Sequence, residues 1–105
     1  MITISLCMIV KNEERILARC LDSVKDLVDE IIIVDTGSTD ATKRIAAEYT
    51  DKIYDFAWID DFSAARNFAF SKASKEYIYS ADADEVLSEE NRQRFRQLKA
   101  TLFPE

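Results

Sequence analysis

Three carboxylates follow a short apolar segment late in the chain, and they are the side chains best suited to metal or phosphate chemistry. Residues 77–79 read Tyr-Ile-Tyr, and Asp82, Asp84 and Glu85 come shortly after them. If the apolar segment is a strand of an open parallel sheet, its carboxyl end opens into the crevice where such sheets bind ligands. The spacing therefore indicates a site for a hard cation and its phosphate partner, and a solvated acidic turn is the alternative for so short a motif.

Two further polar clusters also follow apolar segments. Residues 11–13 come after the apolar segment 2–10, and residues 35–39 come after the β-branched segment 31–34. Gly37, the only glycine, lies where the chain must turn toward a helix, and a helix N-terminus favours anions. Because the carboxyl ends of parallel strands share one rim, we expect all three clusters in one crevice.

Alternating strands and helices must position these clusters. The predicted strands are residues 2–10, 30–34, 52–56 and 77–79, with 52–56 as a weaker edge strand. Helical periodicity covers residues 16–27, 41–49 and 62–73 and resumes after Ser88. One glycine and one proline are few for an all-β protein. We therefore predict an α/β fold, a three-layer sandwich with a mainly parallel four-stranded sheet.

Local signals refine the helix boundaries and the core. Asn12 is predicted to cap the first helix and Ser88 the last, because short polar side chains accept hydrogen bonds from the first free N–H groups. Ser38 or Thr39 is predicted to cap the second helix. The predicted buried face of the third helix is Phe62, Ala65, Ala69 and Ala73, and Tyr77 and Tyr79 are expected in the core.

Composition excludes several classes of protein. The 105 residues carry 20 acidic and 14 basic side chains, a net charge of -6, which argues against nucleic acid as a partner. No transmembrane segment or signal peptide is predicted, and Cys7 and Cys20 lie within patterned segments, so we expect core thiols in a cytoplasmic protein. The chain has no histidine, which leaves oxygen ligands for any metal.

The tetrapeptide Asp35-Thr36-Gly37-Ser38 is also the signature of aspartic proteases. Such proteases are all-β and rich in glycine, whereas this chain has no second glycine and becomes helical soon after Ser38. The fold context therefore argues against a protease.

Four segments together resemble the nucleotide-binding half of family 2 glycosyltransferases, which have the GT-A fold. The segments are residues 5–13, 33–40, 62–67 and 82–85, in the order and spacing of that family. The resemblance implies a Rossmann-like half of a GT-A fold that binds a nucleotide diphosphate sugar. In this family the sugar nucleotide is often a uridine diphosphate (UDP) sugar. It also implies Mg2+ or Mn2+ as the cofactor, which would stabilise the charge of the leaving diphosphate as a Lewis acid.

The resemblance assigns roles residue by residue. Asp82 and Asp84 match the Asp-x-Asp in which the second carboxylate meets the metal and the first lies near the ribose or the sugar. Asp35 matches the acidic residue near the base or ribose, and Arg66 matches the basic residue near base and diphosphate. The wall that packs on the nucleoside is matched by Val10, Lys11 and Asn12.

The catalytic base of this family lies well beyond its Asp-x-Asp, and only 21 residues follow Asp84. We therefore interpret residues 1–105 as a donor-binding domain without the acceptor half, and we assign no catalytic residue. The expected partners are the sugar nucleotide and a sugar or glycolipid acceptor, with a homodimer as one candidate assembly. A non-catalytic nucleotide-binding or interaction module is the alternative.

Overall fold

The computed structural model describes residues 3–58, 61–83 and 88–101, in which strands and helices alternate. The strands are β1 (Ile4–Val10), β2 (Glu30–Asp35), β3 (Ile53–Asp55) and β4 (Tyr77–Ser80). The helices are α1 (Leu17–Val24), α2 (Thr42–Ala46), α3 (Phe62–Lys72) and α4 (Glu89–Thr101). Ile2, Asp84 and Glu85, which the predictions above include, lie outside the described residues.

All four strands are parallel, in the order β3-β2-β1-β4. The central strands are buried along almost their whole length because helices cover both faces, as their continuous apolar sequences indicate. Val10 is in register with Asp35, and Asp35 is in register with Asp55, so the carboxyl ends of β1, β2 and β3 form a level rim. The predicted α/β class and parallel sheet are confirmed.

The core has one cluster on each face of the sheet. Leu6, Met8 and Ile33 pack with residues of α1 and α2 on one face, and Cys7, Ile32 and Val34 pack with Ala69 of α3 on the other. Both cysteines are buried and free. Burial, reinforced by the charge of Glu30, raises the pKa of Cys7 to about 11, so its thiol stays protonated near neutrality.

Two of the predicted helix caps are wrong, and the last one is correct. The helix α1 begins at Leu17 without a side-chain cap, because Asn12 has a φ of 54° and bonds across to the next loop instead. Ser38 likewise accepts from the N–H of Asn12, and α2 also lacks a side-chain cap. Ser88 Oγ accepts from the N–H of Asn91, 3.2 Å away, and caps α4 as predicted.

Two aromatic residues that were assigned to the core are exposed. Phe62 is 45% exposed at the start of α3, although Ala65 and Ala69 of the same helix are buried as predicted. Tyr77 is 39% exposed because β4 is an edge strand, whereas Tyr79 packs on Phe95 of α4 with ring centroids 5.5 Å apart. No helix in the described ranges is long and apolar enough to cross a membrane.

Candidate functional site

The loops after β1 and β2 are bonded to each other at the carboxyl rim of the sheet. Asn12 Oδ1 accepts from the N–H of Thr39 at 2.8 Å, and the N–H of Asn12 donates to Ser38 Oγ at 2.9 Å. The N–H of Glu13 donates to Thr42 Oγ1 at 2.8 Å. A positive φ costs less for Asn than for most residues, which suits Asn12 to this turn. The two loops therefore form one rigid wall.

Asp35 is the most unusual polar residue of this rim. It ends β2 and is only 2% exposed. One oxygen, Oδ1, accepts from the N–H groups of Gly37 and Ser38 at 2.9 and 2.7 Å, which shapes the turn after β2. The other oxygen, Oδ2, is buried and has no hydrogen-bond partner among the described residues. A buried acceptor without a donor is costly, so a ligand N–H or O–H would stabilise this carboxylate.

A cavity of about 280 Å³ lies beside Asp35. Its lining includes Lys43 and Asp55, whose Nζ and Oδ1 atoms are 2.8 Å apart, and the backbone turn at Gly37. The hydrogen bond and charge of Asp55, with a smaller effect of Asp35, raise the pKa of Lys43. This pair is solvent exposed, so breaking it to admit a ligand would cost little.

A second cavity, of about 250 Å³, lies at the end of β1. Val10, Lys11 and Thr36 line one part of it, and the side chains of Trp58 and Phe62 line another. Thr36 binds the carbonyl of Val10 through both its N–H and its hydroxyl, at 3.0 and 3.3 Å, which fixes the floor. The rim thus offers a polar cavity beside Asp35 and an aromatic one beside Lys11.

Arg66 lies one turn into α3 near the aromatic cavity. Its guanidinium carbon is 4.8 Å from the centroid of the Phe62 ring, a cation–π geometry. Asp61 Oδ1 accepts from the N–H of Ala64 at 3.1 Å and caps the helix, so this carboxylate has a structural role. Among residues 3–58, 61–83 and 88–101, no carboxylate forms an ion pair with Arg66.

The acidic segment is only partly described. Asp82 is exposed after β4, Ala81 and Ala83 on either side are buried, and the carbonyl of Asp82 accepts from Cys20 Sγ at 3.7 Å. This alternation turns the carboxylate of Asp82 away from the core. Asp84 lies outside the described residues, and within them no group of three or more potential ligands is placed to hold a metal ion.

The helix after the acidic segment is fastened to the end of α1. Arg92 donates to both carboxylate oxygens of Asp26, at 3.1 and 2.6 Å, and also to the carbonyl of Ser23. Arg96 adds a bond to Asp26 at 3.2 Å. The hydrogen bond from Arg92 lowers the pKa of Asp26 to about 2. These contacts hold α4 against α1, on the same face of the sheet as Tyr79 and Phe95.

The structure brings some of the predicted site residues together. Val10, Lys11 and Asp35 lie at neighbouring strand ends, and Arg66 contacts a residue that lines the same rim. The side chain of Asn12, in contrast, is used to join the two loops. Lys43, Trp58 and the exposure of Phe62 were missed, because sequence periodicity does not show which residues face a cavity.

Comparison with known proteins gives relatives that are much longer than this chain. A TPR repeat-containing protein of Synechococcus elongatus is 54% identical over 87 residues, 83% of this chain. The SPbeta prophage-derived glycosyltransferase SunS of Bacillus subtilis is 40% identical over 102 residues, 95% of this chain. The chain spans 22% and 24% of the length of these two relatives.

A solved structure has the same fold. Glucosyl-3-phosphoglycerate synthase of Mycobacterium tuberculosis, crystallised with Mn2+ and uridine diphosphate glucose, superposes with a TM-score of 0.69 at 25% identity. The superposition covers 81% of this chain and 34% of that protein. The model of the family Glycosyl transferase family 2 matches residues 5–97. Since that match covers well over half of the 105 residues, the chain belongs to glycosyl transferase family 2.

Proposed function

We propose that this chain is the donor-binding domain of a glycosyltransferase that binds a nucleotide diphosphate sugar, with UDP as the nucleotide. The observation that carries the proposal is the carboxylate of Asp35, which is buried at the sheet rim with one oxygen unpartnered. The similar synthase of Mycobacterium tuberculosis was crystallised with uridine diphosphate glucose, which supports UDP as the nucleotide. Uracil carries a ring N–H, the kind of donor that Asp35 Oδ2 lacks.

The proposed roles follow the geometry of the rim. Asp35 accepts a hydrogen bond from the nucleoside, and Val10 with Lys11 forms the wall beside it. Asn12 keeps that wall in place through its bonds to the loop after β2. Arg66 offers a charge-assisted hydrogen bond to the diphosphate, since no described carboxylate pairs with it.

We further propose that Asp82 and Asp84 hold Mg2+ or Mn2+ against the diphosphate. Of these two proposed metal ligands, the structure describes Asp82. Its exposed carboxylate at the end of β4 fits such a cation, because carboxylate oxygens are hard ligands. A cation bound there would neutralise charge on the departing diphosphate. Asp82, as the first carboxylate of the pair, would also lie near the ribose or the sugar.

Transfer itself needs a base beside the acceptor hydroxyl, opposite the leaving diphosphate. Asp82 is assigned to the diphosphate side. Glu89 and Glu90 lie in the first turn of an amphipathic helix, where their negative charges interact favourably with the positive end of the helix dipole. We therefore propose that residues 1–105 bind the donor and that the base and the acceptor site, for a sugar or glycolipid, belong to another part of the transferase.

The decisive experiment compares UDP binding by the unaltered chain and by Asp35→Asn. The amide oxygen of Asn can still accept from the N–H groups of Gly37 and Ser38, while its NH2 group replaces the unpartnered acceptor by a donor. Losing a hydrogen bond to a charged group costs about 1.5 to 3 kcal/mol, so UDP should bind at least about tenfold more weakly. Asp51→Asn, an exposed substitution at the opposite end of the sheet, is the matched control.

Calorimetry with and without Mn2+ gives the affinities, and Asp82→Ala tests the cation. We expect Mn2+ to strengthen UDP binding to the unaltered chain and to have little effect on Asp82→Ala. If Asp35→Asn binds UDP as tightly as the unaltered chain, the assignment of Asp35 is wrong. If the unaltered chain does not bind UDP, the interaction-module alternative becomes the better explanation of this fold.

A further inference from the structure

The segment after β4 is packed against α1 on both sides of Asp82. Ala81 and Ala83 are 6% and 5% exposed and lie in the same core cluster as the buried residues of α1, whereas Asp82 is exposed. The N–H of Ala81 also donates to the carbonyl of Cys7 at 3.2 Å, which extends the contact between β4 and β1. The two alanines therefore anchor the backbone on either side of the Asp82 carboxylate.

Cys20 of α1 contacts the backbone of Asp82 itself. The Sγ atom of Cys20 donates to the carbonyl of Asp82 at 3.7 Å. A thiol is a weak donor, so this contact restrains Asp82 more by filling space than by the strength of a hydrogen bond. Because protein interiors are close-packed, a buried sulfur behind a carbonyl limits how far that residue can move inward. Cys20 is only 1% exposed, so any effect on a bound cation must pass through Asp82.

The start of α1 is joined to the wall formed by the loops after β1 and β2. The carbonyl of Glu13 accepts from the N–H of Leu17, the first residue of α1, at 2.9 Å. The N–H of Glu13 donates to Thr42 Oγ1 at 2.8 Å. Cys20 lies about one turn further along the same helix. One helix thus connects the wall proposed for the nucleoside with the backbone of Asp82, and the spacing between the two depends on α1.

We propose that Cys20 is a positioning residue for cation binding, which, together with Ala81 and Ala83, holds Asp82 at a fixed place relative to the wall. This inference rests on the proposed function, in which Asp82 binds Mg2+ or Mn2+, and adds the residues that support this carboxylate from behind. Groups that bind a cation must be held within about 0.5 Å of the productive geometry, so a small shift of the Asp82 backbone should weaken binding.

Cys20→Ala tests this role, and Cys7→Ala is the matched control. Cys7 is also a buried thiol, 2% exposed, and its Sγ donates to the carbonyl of Ala69 at 3.8 Å, but it packs on the other face of the sheet. Mn2+ binding in the presence of UDP is followed by the electron paramagnetic resonance signal of free Mn2+. UDP binding without metal is measured by calorimetry in EDTA.

Losing a partner of a metal ligand typically costs about 10 to 100-fold in affinity, and the weaker thiol contact should cost about threefold to tenfold in Cys20→Ala. Cys7→Ala should bind Mn2+ as the unaltered chain does. Both variants should bind UDP in EDTA with unchanged affinity, because the wall is intact in both.

Ala83→Val tests the same restraint by adding bulk. The larger side chain should push the segment away from α1 and lower the affinity for Mn2+ by about tenfold. Ala69→Val, a buried alanine on the other face of the sheet, is its control and should leave Mn2+ binding unchanged.

The outcomes separate this inference from the proposed function. Equal Mn2+ binding by Cys20→Ala and Cys7→Ala would overturn the positioning role and leave the proposed function standing. A loss of UDP binding in EDTA as large as the loss of Mn2+ binding would also overturn it, because Cys20 would then support the fold or the nucleotide site. If the unaltered chain binds Mn2+ no better than Asp82→Ala does, the proposed cation site is wrong and the positioning role falls with it.

Discussion

Glu30 joins the amino ends of the four strands, and replacing it tests how much one buried charge contributes to this fold. Its side chain is 2% exposed at the start of β2. It accepts from Ser5 Oγ of β1 at 2.7 Å, and from the N–H and Oγ of Ser74 before β4 at 2.9 and 2.7 Å. Lys52, just before β3, forms an ion pair with it. The carboxylate therefore accepts hydrogen bonds from β1 and from the residues just before β3 and β4.

The pKa of Glu30 gives the expected magnitude. Burial acts to raise this pKa, but the hydrogen bonds from Lys52, Ser5 and Ser74 outweigh burial and lower it from 4.5 to about 2. That difference corresponds to about 3 kcal/mol of preferential stabilisation of the folded state when the group is ionised. Glu30→Gln keeps the shape but places an amide among donors, so we expect the free energy of unfolding at pH 7 to fall by about 3 kcal/mol.

The pH dependence checks the sign of this effect. Because the folded pKa of Glu30 is depressed, its contribution is fully present above pH 4.5 to 5 and is lost as the pH falls toward 2. Urea denaturation of the unaltered chain and of Glu30→Gln between pH 7 and 3 should give a difference that shrinks with acid. Glu90→Gln, which removes an exposed pair with Arg94, should cost less than about 1 kcal/mol. Equal stability at pH 7, or a difference that does not change with pH, would refute this account.

Two further substitutions test the contacts that shape the rim and fasten the last helix. Asn12→Ala should lower the free energy of unfolding by about 1 to 2 kcal/mol more than Asn12→Gly does, because both lose the bond to Thr39 but only Ala is strained at a φ of 54°; urea titration measures this, and equal losses would contradict it. Asp26→Asn should speed amide hydrogen exchange in α4 by weakening its contact with Arg92, whereas Asp22→Asn, whose carboxylate contacts Lys25 and Tyr49, should not. Unchanged exchange in Asp26→Asn would show that other contacts hold the helix.

The order of elements and the two central strands could be predicted from the sequence alone. The segments that became β1 and β2 are continuous apolar runs, and such a run is stable as a strand only when both of its faces are covered. Each pair of successive strands is joined by a crossover that is long enough to contain a helix, and such crossovers give parallel strands with helices packed on the sheet. Asp35 could be placed at the rim for the same reason, since it directly follows such a run.

The details of the rim depend on contacts between residues that are distant in sequence. Asn12 resembles a helix cap by its position, yet it bonds to Thr39 because the parallel sheet brings the two loops together. Phe62 lies on the same helical stripe as the buried Ala65, yet it is 45% exposed and lines a cavity together with Val10 at the end of β1.

Local sequence thus determined which segments become strands and helices and which strand ends carry acidic residues. Hydrophobic periodicity and the length of each apolar segment are properties of that segment alone, so they can be read without knowing the fold. Only the tertiary structure decided that Asp35 keeps one oxygen without a partner, that Glu30 gathers donors from residues 5, 52 and 74, and that Trp58 shares a cavity with Lys11. These features depend on which segments meet in space, and neither hydrophobic periodicity nor capping preference within one segment contains that information.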